Sequence, residues 1–218
     1  MNPDFAVILN FKLKTGKDVD VDLLVKTARN IGARAVATND RRADFKQACN
    51  KYVIALVDED QGEELTADKV IDHMVHQRKD GQKTIINLSV SEDGTLSESA
   101  QALLDQVNRW MHRFGHAFNE SEPSSLVANH GFVLQNRHMH YQKYLFVNRP
   151  VPAQVIVTGM AQAPNRIELV DNRTELDFDY QDGSLTINLG AMPPDNLIWQ
   201  IVRIQEHRQE DDLIATKY

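Results

Sequence analysis

The hydrophobic rhythm of this 218-residue chain changes once, and that change limits what it can fold into. Before the polar segment Asn119-Glu120-Ser121-Glu122-Pro123-Ser124-Ser125, short β-branched runs alternate with amphipathic stretches of helical period. After it, short β-type runs follow one another, separated by Pro, Gly, Asn and Asp. Parallel strands need long crossovers, usually helices, so the first pattern predicts a parallel sheet flanked by helices. The second predicts an antiparallel β-sandwich. A polar, proline-containing stretch between two such patterns is where a domain boundary is expected. The fold class is therefore α/β plus all-β, with domains over 1–122 and 123–218.

Within the first domain, Phe5 to Phe11 is an apolar run suited to a strand buried on both faces. Lys14-Thr15-Gly16-Lys17 makes a loop. Asp20 is placed to cap a helix with Leu23, Leu24, Thr27, Ala28 and Ile31 on one face, and Gly32 to stop it. Ala33 to Thr38 forms a second strand, Arg42 to Asn50 a short helix, and Tyr52 to Val57 a third strand. Thr66 starts a helix with Val70, Ile71, Met74 and Val75 inward, ended by Gly81. Thr84 to Ile86 opens the fourth strand, and Asp93-Gly94 turns the chain. Thr95 and Glu98 have capping-box spacing before a helix with Ala100, Leu103, Leu104, Val107, Trp110, Met111 and Phe114 on one face, ended by Gly115. The second domain is predicted to have strands over 131–134, 141–147, 154–157, 166–169, 175–178, 184–189 and 197–204. Turns lie at Asp182-Gly183 and Pro193-Pro194-Asp195-Asn196, and the tail 206–218 is charged.

A net charge of −7, with Arg41-Arg42 as the only local basic cluster, argues against a nucleic-acid surface. A single cysteine, Cys49, allows neither an intramolecular disulfide nor a Cys-based zinc site. Met1 to Asp4 lack the basic start of a signal peptide, and no apolar run approaches a membrane span, so the expectation is a cytoplasmic protein without membrane contact. His73 and His76, His112 and His116, and His138 and His140 have spacings that put two imidazoles on one side, but no third ligand accompanies them, and no metal is expected. No glycine-rich phosphate loop and no Gly-x-Ser-x-Gly elbow occurs, so no cofactor is expected either.

Residues 84–118 have more specific content. Asn87, Asp93, Gly94, Leu96, Glu98, Trp110, Gly115, Ala117 and Phe118 match the pattern L-L-N-x-x-P-x-x-D-G-x-I-P-E, x-G-x-W-L, N-G-E-A-I-Y. With them the segment resembles the last barrel strand and following helix of the α-L-fucosidases, a glycoside hydrolase family. Val90, Ser97, Asn108 and His116 depart from that pattern. Phe5 to Phe11 and Ile31 to Phe45 are similar to the family's first two strands, with Thr38 and Phe45 keeping their spacing. Gly183 to Leu189 and Ile201 to Ile204 resemble the end of the family's C-terminal sandwich.

The resemblance implies a shortened relative. A (β/α)₈ barrel takes about 250 residues, and the segment before residue 122 has room for four βα units. Removing the central strands leaves a sheet of order 3-2-1-4, because a barrel's last strand lies beside its first. The family's sugar-binding histidines correspond here to Asn10, Arg41 and Arg42, and guanidinium cannot accept a proton as imidazole does. The nucleophilic aspartate of the family lies in a Trp-x-Asp context absent here, and retaining hydrolysis needs two carboxyl groups about 5–5.5 Å apart. Asp58, in Asp58-Glu59-Asp60, and Asp93 are the remaining catalytic candidates.

An open α/β sheet binds ligands at the carboxyl ends of its strands where the strand order reverses. That crevice should carry Asn10, Lys12, Asn39, Asp40, Arg41, Ser89 and Ser91. Sugar readers stack rings on Tyr or Trp, for which Tyr52, Tyr141 and Tyr144 are available. An opened barrel also exposes strand edges, which a loop, the sandwich or a second copy must cover. The expected function is a carbohydrate-binding or interaction protein without fucosidase activity, with a homodimer as its assembly. The alternative is an active glycoside hydrolase with a rebuilt or dimer-completed site.

Overall fold

Strand β1 (Val7–Leu13) is central in the first unit of the chain, and Val7, Ile8, Leu9, Asn10 and Phe11 are all buried. Covering both faces of a strand requires the near-continuous apolar run seen there. The computed structural model describes residues 6–14, 19–58, 61–192 and 197–206. Phe5, Thr15 to Lys17, Glu59, Asp60, the Pro193-Pro194-Asp195-Asn196 turn and the tail from residue 207 lie outside the described residues. The chain divides into two compact units, 1–119 and 120–218.

In the first unit, α1 (Val21–Asn30) follows β1, then β2 (Ala35–Thr38), α2 (Arg42–Tyr52), β3 (Ala55–Leu56), α3 (Val70–Lys79), β4 (Thr84–Val90) and α4 (Glu98–Asn119). The sheet is parallel, in the order β3-β2-β1-β4. Val7, Leu9, Phe11 and Leu13 share one face with Thr84, Ile86, Leu88 and Val90, and Phe11 meets Phe45 of α2 with ring centroids 5.8 Å apart. Ile8, Asn10 and Lys12 point the other way, where Ile8 packs with Ala35, Ala37, Ala55, Val57 and Ile85.

The capping expectation at Asp20 holds, since its Oδ1 accepts from Leu23 N–H at 3.0 Å. Elsewhere the boundaries shift. Helix α2 runs on to Tyr52, and Val53 then takes a left-handed φ of 54°, so the third strand shrinks to Ala55–Leu56. Thr66 sits in the turn that precedes α3. Ser97, not Thr95, caps α4, its Oγ accepting from Ala100 N–H at 3.2 Å, because the Thr95 hydroxyl is bound to Asp93. Gly115 does not end α4, which continues to Asn119. Phe114, Ala117 and Phe118 remain on its buried face, with Trp110–Phe114 and Trp110–Phe118 centroids 5.3 and 5.2 Å apart. Packing on that scale outweighs the roughly 1 kcal/mol cost of an interior glycine.

The outer edge of β4 is not bare. Glu63 lies alongside Ile86, its N–H donating to Ile85 O at 2.9 Å while Asn87 N–H donates to Glu63 O at 3.0 Å. The connection from β3 to α3 therefore covers the edge where further barrel strands would stand. His73 of α3 lies beside this segment, with Nε2 3.1 Å from Glu63 Oε1.

The second unit carries β5 (Ser121–Pro123), β6 (Val127–Ala128), β7 (Phe132–Asn136), β8 (Gln142–Asn148), β9 (Gln154–Thr158), β10 (Pro164–Leu169), β11 (Phe178–Gln181), β12 (Ser184–Asn188) and β13 (Trp199–Glu206). They form a five-stranded sheet, β10-β13-β8-β7-β5, and a four-stranded sheet, β11-β12-β9-β6. Val133, Leu145, Val147, Val202 and Ile204 of the first meet Val155, Val157, Leu185 and Ile187 of the second in one core. Part of the polar stretch expected as linker is strand: β5 pairs with β7 at a sheet edge, where proline is tolerated. The run expected at 175–178 begins later, at Phe178, with Glu175 making only an isolated bridge to Glu168. Asp182 and Gly183, at φ 48° and 81°, form the tight turn between β11 and β12.

Candidate functional site

The strand-order reversal lies between β1 and β4, and a short polar column stands on the face opposite Phe11 and the Phe45 of α2 that packs on it. Asn10 is opposite Asn87 in register, and Lys12 is opposite Ser89, one step nearer the carboxyl ends. Asn10 Nδ2 donates to Asn87 Oδ1 at 3.0 Å, and Asn87 Nδ2 donates to Gly62 O at 2.8 Å. Asn10 is fully buried, and its Oδ1 has no hydrogen-bond partner among the described residues. Ser89 is exposed and Lys12 half-buried. Asn10, Lys12 and Ser89 thus come together where the topology places a ligand crevice.

Two further residues belong to this arrangement and were not singled out as site residues in the sequence. Asn87 is one, and its alternation with Ile85 and Ser89 along β4 was the available signal. Gly62 is the other. A side chain there would meet Asn87 Oδ1 at 2.5 Å and Ile85 O at 2.9 Å, so the loop approaches β4 as closely as only glycine permits.

The remaining candidates hold local structure. Asn39 Oδ1 accepts from Leu13 N–H at 2.7 Å and its Nδ2 donates to Leu13 O at 3.1 Å, which completes the β1–β2 pairing with a side chain. Asp40 Oδ1 accepts from Arg41 N–H at 2.7 Å. Arg41 turns toward α1, donating to Val19 O at 2.6 Å and Asp44 Oδ2 at 2.8 Å. Ser91 Oγ donates to Asp93 Oδ1 at 2.5 Å, and Thr95 donates to the same oxygen from both N–H and Oγ1. These hydroxyl and amide donors hold the Asp93 carboxyl down at about 2, so it is ionised at neutral pH and is no proton donor there. Asp58 is 85% exposed and paired with Arg42 Nη2 at 2.6 Å.

Other groups also have local partners. His76 Nδ1 meets Asp72 O at 2.8 Å. His138 and His140 lie in the connection after β7 rather than on a strand, with His138 Nε2 3.2 Å from Glu120 Oε2. Among the described residues no group of three or more His, Cys, Asp or Glu could hold a metal ion. Burial pushes the Cys49 thiol up to about 11, which makes it a poor nucleophile. Tyr144 is 2% exposed, and Tyr52 Oη donates to Asp22 Oδ2 at 2.5 Å. Tyr141, half-buried, donates to Met139 Sδ at 3.1 Å. No helix among the described residues is long and apolar enough to cross a membrane.

No known family's sequence profile matches the chain, and no curated protein does. Solved structures do. A trapped covalent intermediate of an α-L-fucosidase, GH29, from Bacteroides thetaiotaomicron superposes with a TM-score of 0.56 at 13% identity, over 90% of this chain and 42% of that one. Isoenzyme 1 of α-L-fucosidase from Paenibacillus thiaminolyticus gives 0.56 at 13%, over 92% and 58%. The Thermotoga maritima α-fucosidase in complex with fucose gives 0.52 at 10%, over 84% and 55%. The chain has the fold of α-L-fucosidase structures across nearly its whole length, and it spans about half the length of those chains.

Proposed function

We propose that this protein works by binding rather than by turnover: a non-hydrolytic protein on the α-L-fucosidase fold, cytoplasmic, that takes a carbohydrate at the carboxyl ends of β1 and β4. One observation carries the reading. Glycoside hydrolysis requires two carboxyl groups about the scissile bond, and the residues that face each other at the strand-order reversal, Asn10 and Asn87, are both amides. Amides donate and accept hydrogen bonds to sugar hydroxyls but transfer no proton at neutral pH. Lys12 and Ser89 stand above that pair as further donors, while Asp58 and Asp93 are held by Arg42 and by the Ser91–Thr95 turn. The cytoplasmic assignment rests on the lone, buried Cys49.

The test is a glycan-binding screen run beside an aryl-glycoside turnover screen that includes α-L-fucoside. Binding without turnover, weakened at least tenfold by Ser89→Trp, is the expected result. Turnover abolished by Asp58→Asn or Asp93→Asn would replace this reading with the hydrolase one. Silence in both screens would leave a protein-interaction role.

A further inference from the structure

The second unit gathers charge around one carboxylate. Glu168 of β10 is 1% exposed. A buried carboxylate needs a cation beside it, and this one has three. Arg173 Nη1 lies 2.7 Å from Oε1, Arg203 Nη2 bonds the same oxygen, and Arg166 Nε lies 3.0 Å from Oε2, an ion pair without hydrogen-bond geometry. Arg166 Nη2 reaches on to Glu175 Oε1 at 2.6 Å. Among the described residues these ion pairs set three guanidiniums against two carboxylates, in a chain of net charge −7.

The surplus is also one of donors. Each guanidinium carries about five N–H donors in a rigid fork, and these internal pairs use few of them. Arg203 Nε is buried and has no hydrogen-bond partner among the described residues. The Arg173 and Arg166 side chains are 60% and 47% exposed, so their free donors face solvent. The backbone of Arg173 is fixed as well. It sits in the turn after β10 at φ 63°, uncommon for a residue with a side chain, with its N–H donating to Leu169 O at 3.0 Å. Arg203 stands opposite Glu168 in register on β13. Two sheet positions and a fixed turn therefore aim three forks at one place.

We infer that Arg166, Arg173 and Arg203 form a binding site for an oxyanion, a sulfate, phosphate or carboxylate group, with Glu168 holding the forks in position. Planar, paired N–H donors match such groups. The site is built from second-unit residues alone and does not depend on the carbohydrate reading.

The experiment is calorimetric titration of the whole chain with sodium sulfate, sodium phosphate, a sulfated oligosaccharide and a uronate oligomer, at constant ionic strength against a chloride control. Saturable binding of at least one of these, weakened tenfold or more by Arg173→Ala and partly restored by Arg173→Lys, is the expected result. Arg173 is exposed, so circular dichroism of the variant should match the parent. Binding to the inorganic ions alone assigns the site to a free ion; binding to an oligosaccharide and not to the ions assigns it to an acidic glycan. Titrations that match chloride throughout, or binding indifferent to both Arg173→Ala and Arg166→Ala, would overturn the inference.

Discussion

Asp93 shows how a carboxylate at a strand end is held by the hydroxyls of its own turn. Ser91 and Thr95 donate to it, and its pKa falls from the ordinary 3.8 to about 2. A group whose folded pKa lies below its unfolded value stabilises the fold above that unfolded value, and loses the contribution as pH falls through the folded one. The stability difference between the parent and Asp93→Ala should therefore be full at pH 6 and shrink between pH 4 and pH 2. Melting temperatures at four or five pH values would show it, and a difference independent of pH would contradict it. Asn87 is the second test at this scale. Asn87→Ala strips the partner from Asn10 Nδ2, buried at 0% exposure, and from Gly62 O. Leaving a buried donor unpaired should destabilise the protein by about 2 kcal/mol, measurable as a lower urea midpoint with unchanged slope.

Among the elements, helix α4 was the most legible in the sequence because its apolar residues repeat at helical spacing over many turns. Its ends were less so. The sequence could offer Thr95 as a cap but could not show that Asp93 already binds that hydroxyl. Gly115 looks like a stop signal until Ala117 and Phe118 beyond it are seen buried. Gly115 and Gly131 accordingly should respond in opposite directions. An added Cβ at Gly115 would meet Met111 Cε at 3.4 Å, an ordinary contact, so Gly115→Ala should stabilise by about 0.5–1 kcal/mol. At Gly131 it would meet Phe146 O at 1.9 Å with φ at +77°, so Gly131→Ala should cost about 3–5 kcal/mol. Denaturant titrations of the two variants, followed at Trp110 and Trp199 respectively, would decide both.

At the scale of the whole molecule, the sheet order β3-β2-β1-β4 was legible because it follows from joining the first strands of a barrel to its last. The site was legible only in outline. Lys12 and Ser89 fall on one face by alternation alone, but the roles of Asn39, Asp40, Arg41 and Ser91 depend on bonds to backbone atoms that no sequence pattern displays. The same holds for the strand edges. The sequence argument asks for two edges to be covered, and the structure shows the chain covering one of them with Glu63. At β3, Ala55 and Val57 donate to Arg34 O and Val36 O of the β2 segment, which turns the N–H of Leu56 toward the outer edge. If the homodimer expected from the open barrel forms, this edge is the place for it, because an unpaired strand edge templates pairing. Light scattering at micromolar concentration should then give twice the monomer mass. Leu56→Pro removes an edge donor without breaking a bond to β2, and should return the mass to that of the monomer while leaving circular dichroism unchanged. A parent protein that is monomeric under those conditions removes the dimer, and a variant that remains dimeric moves the contact away from β3.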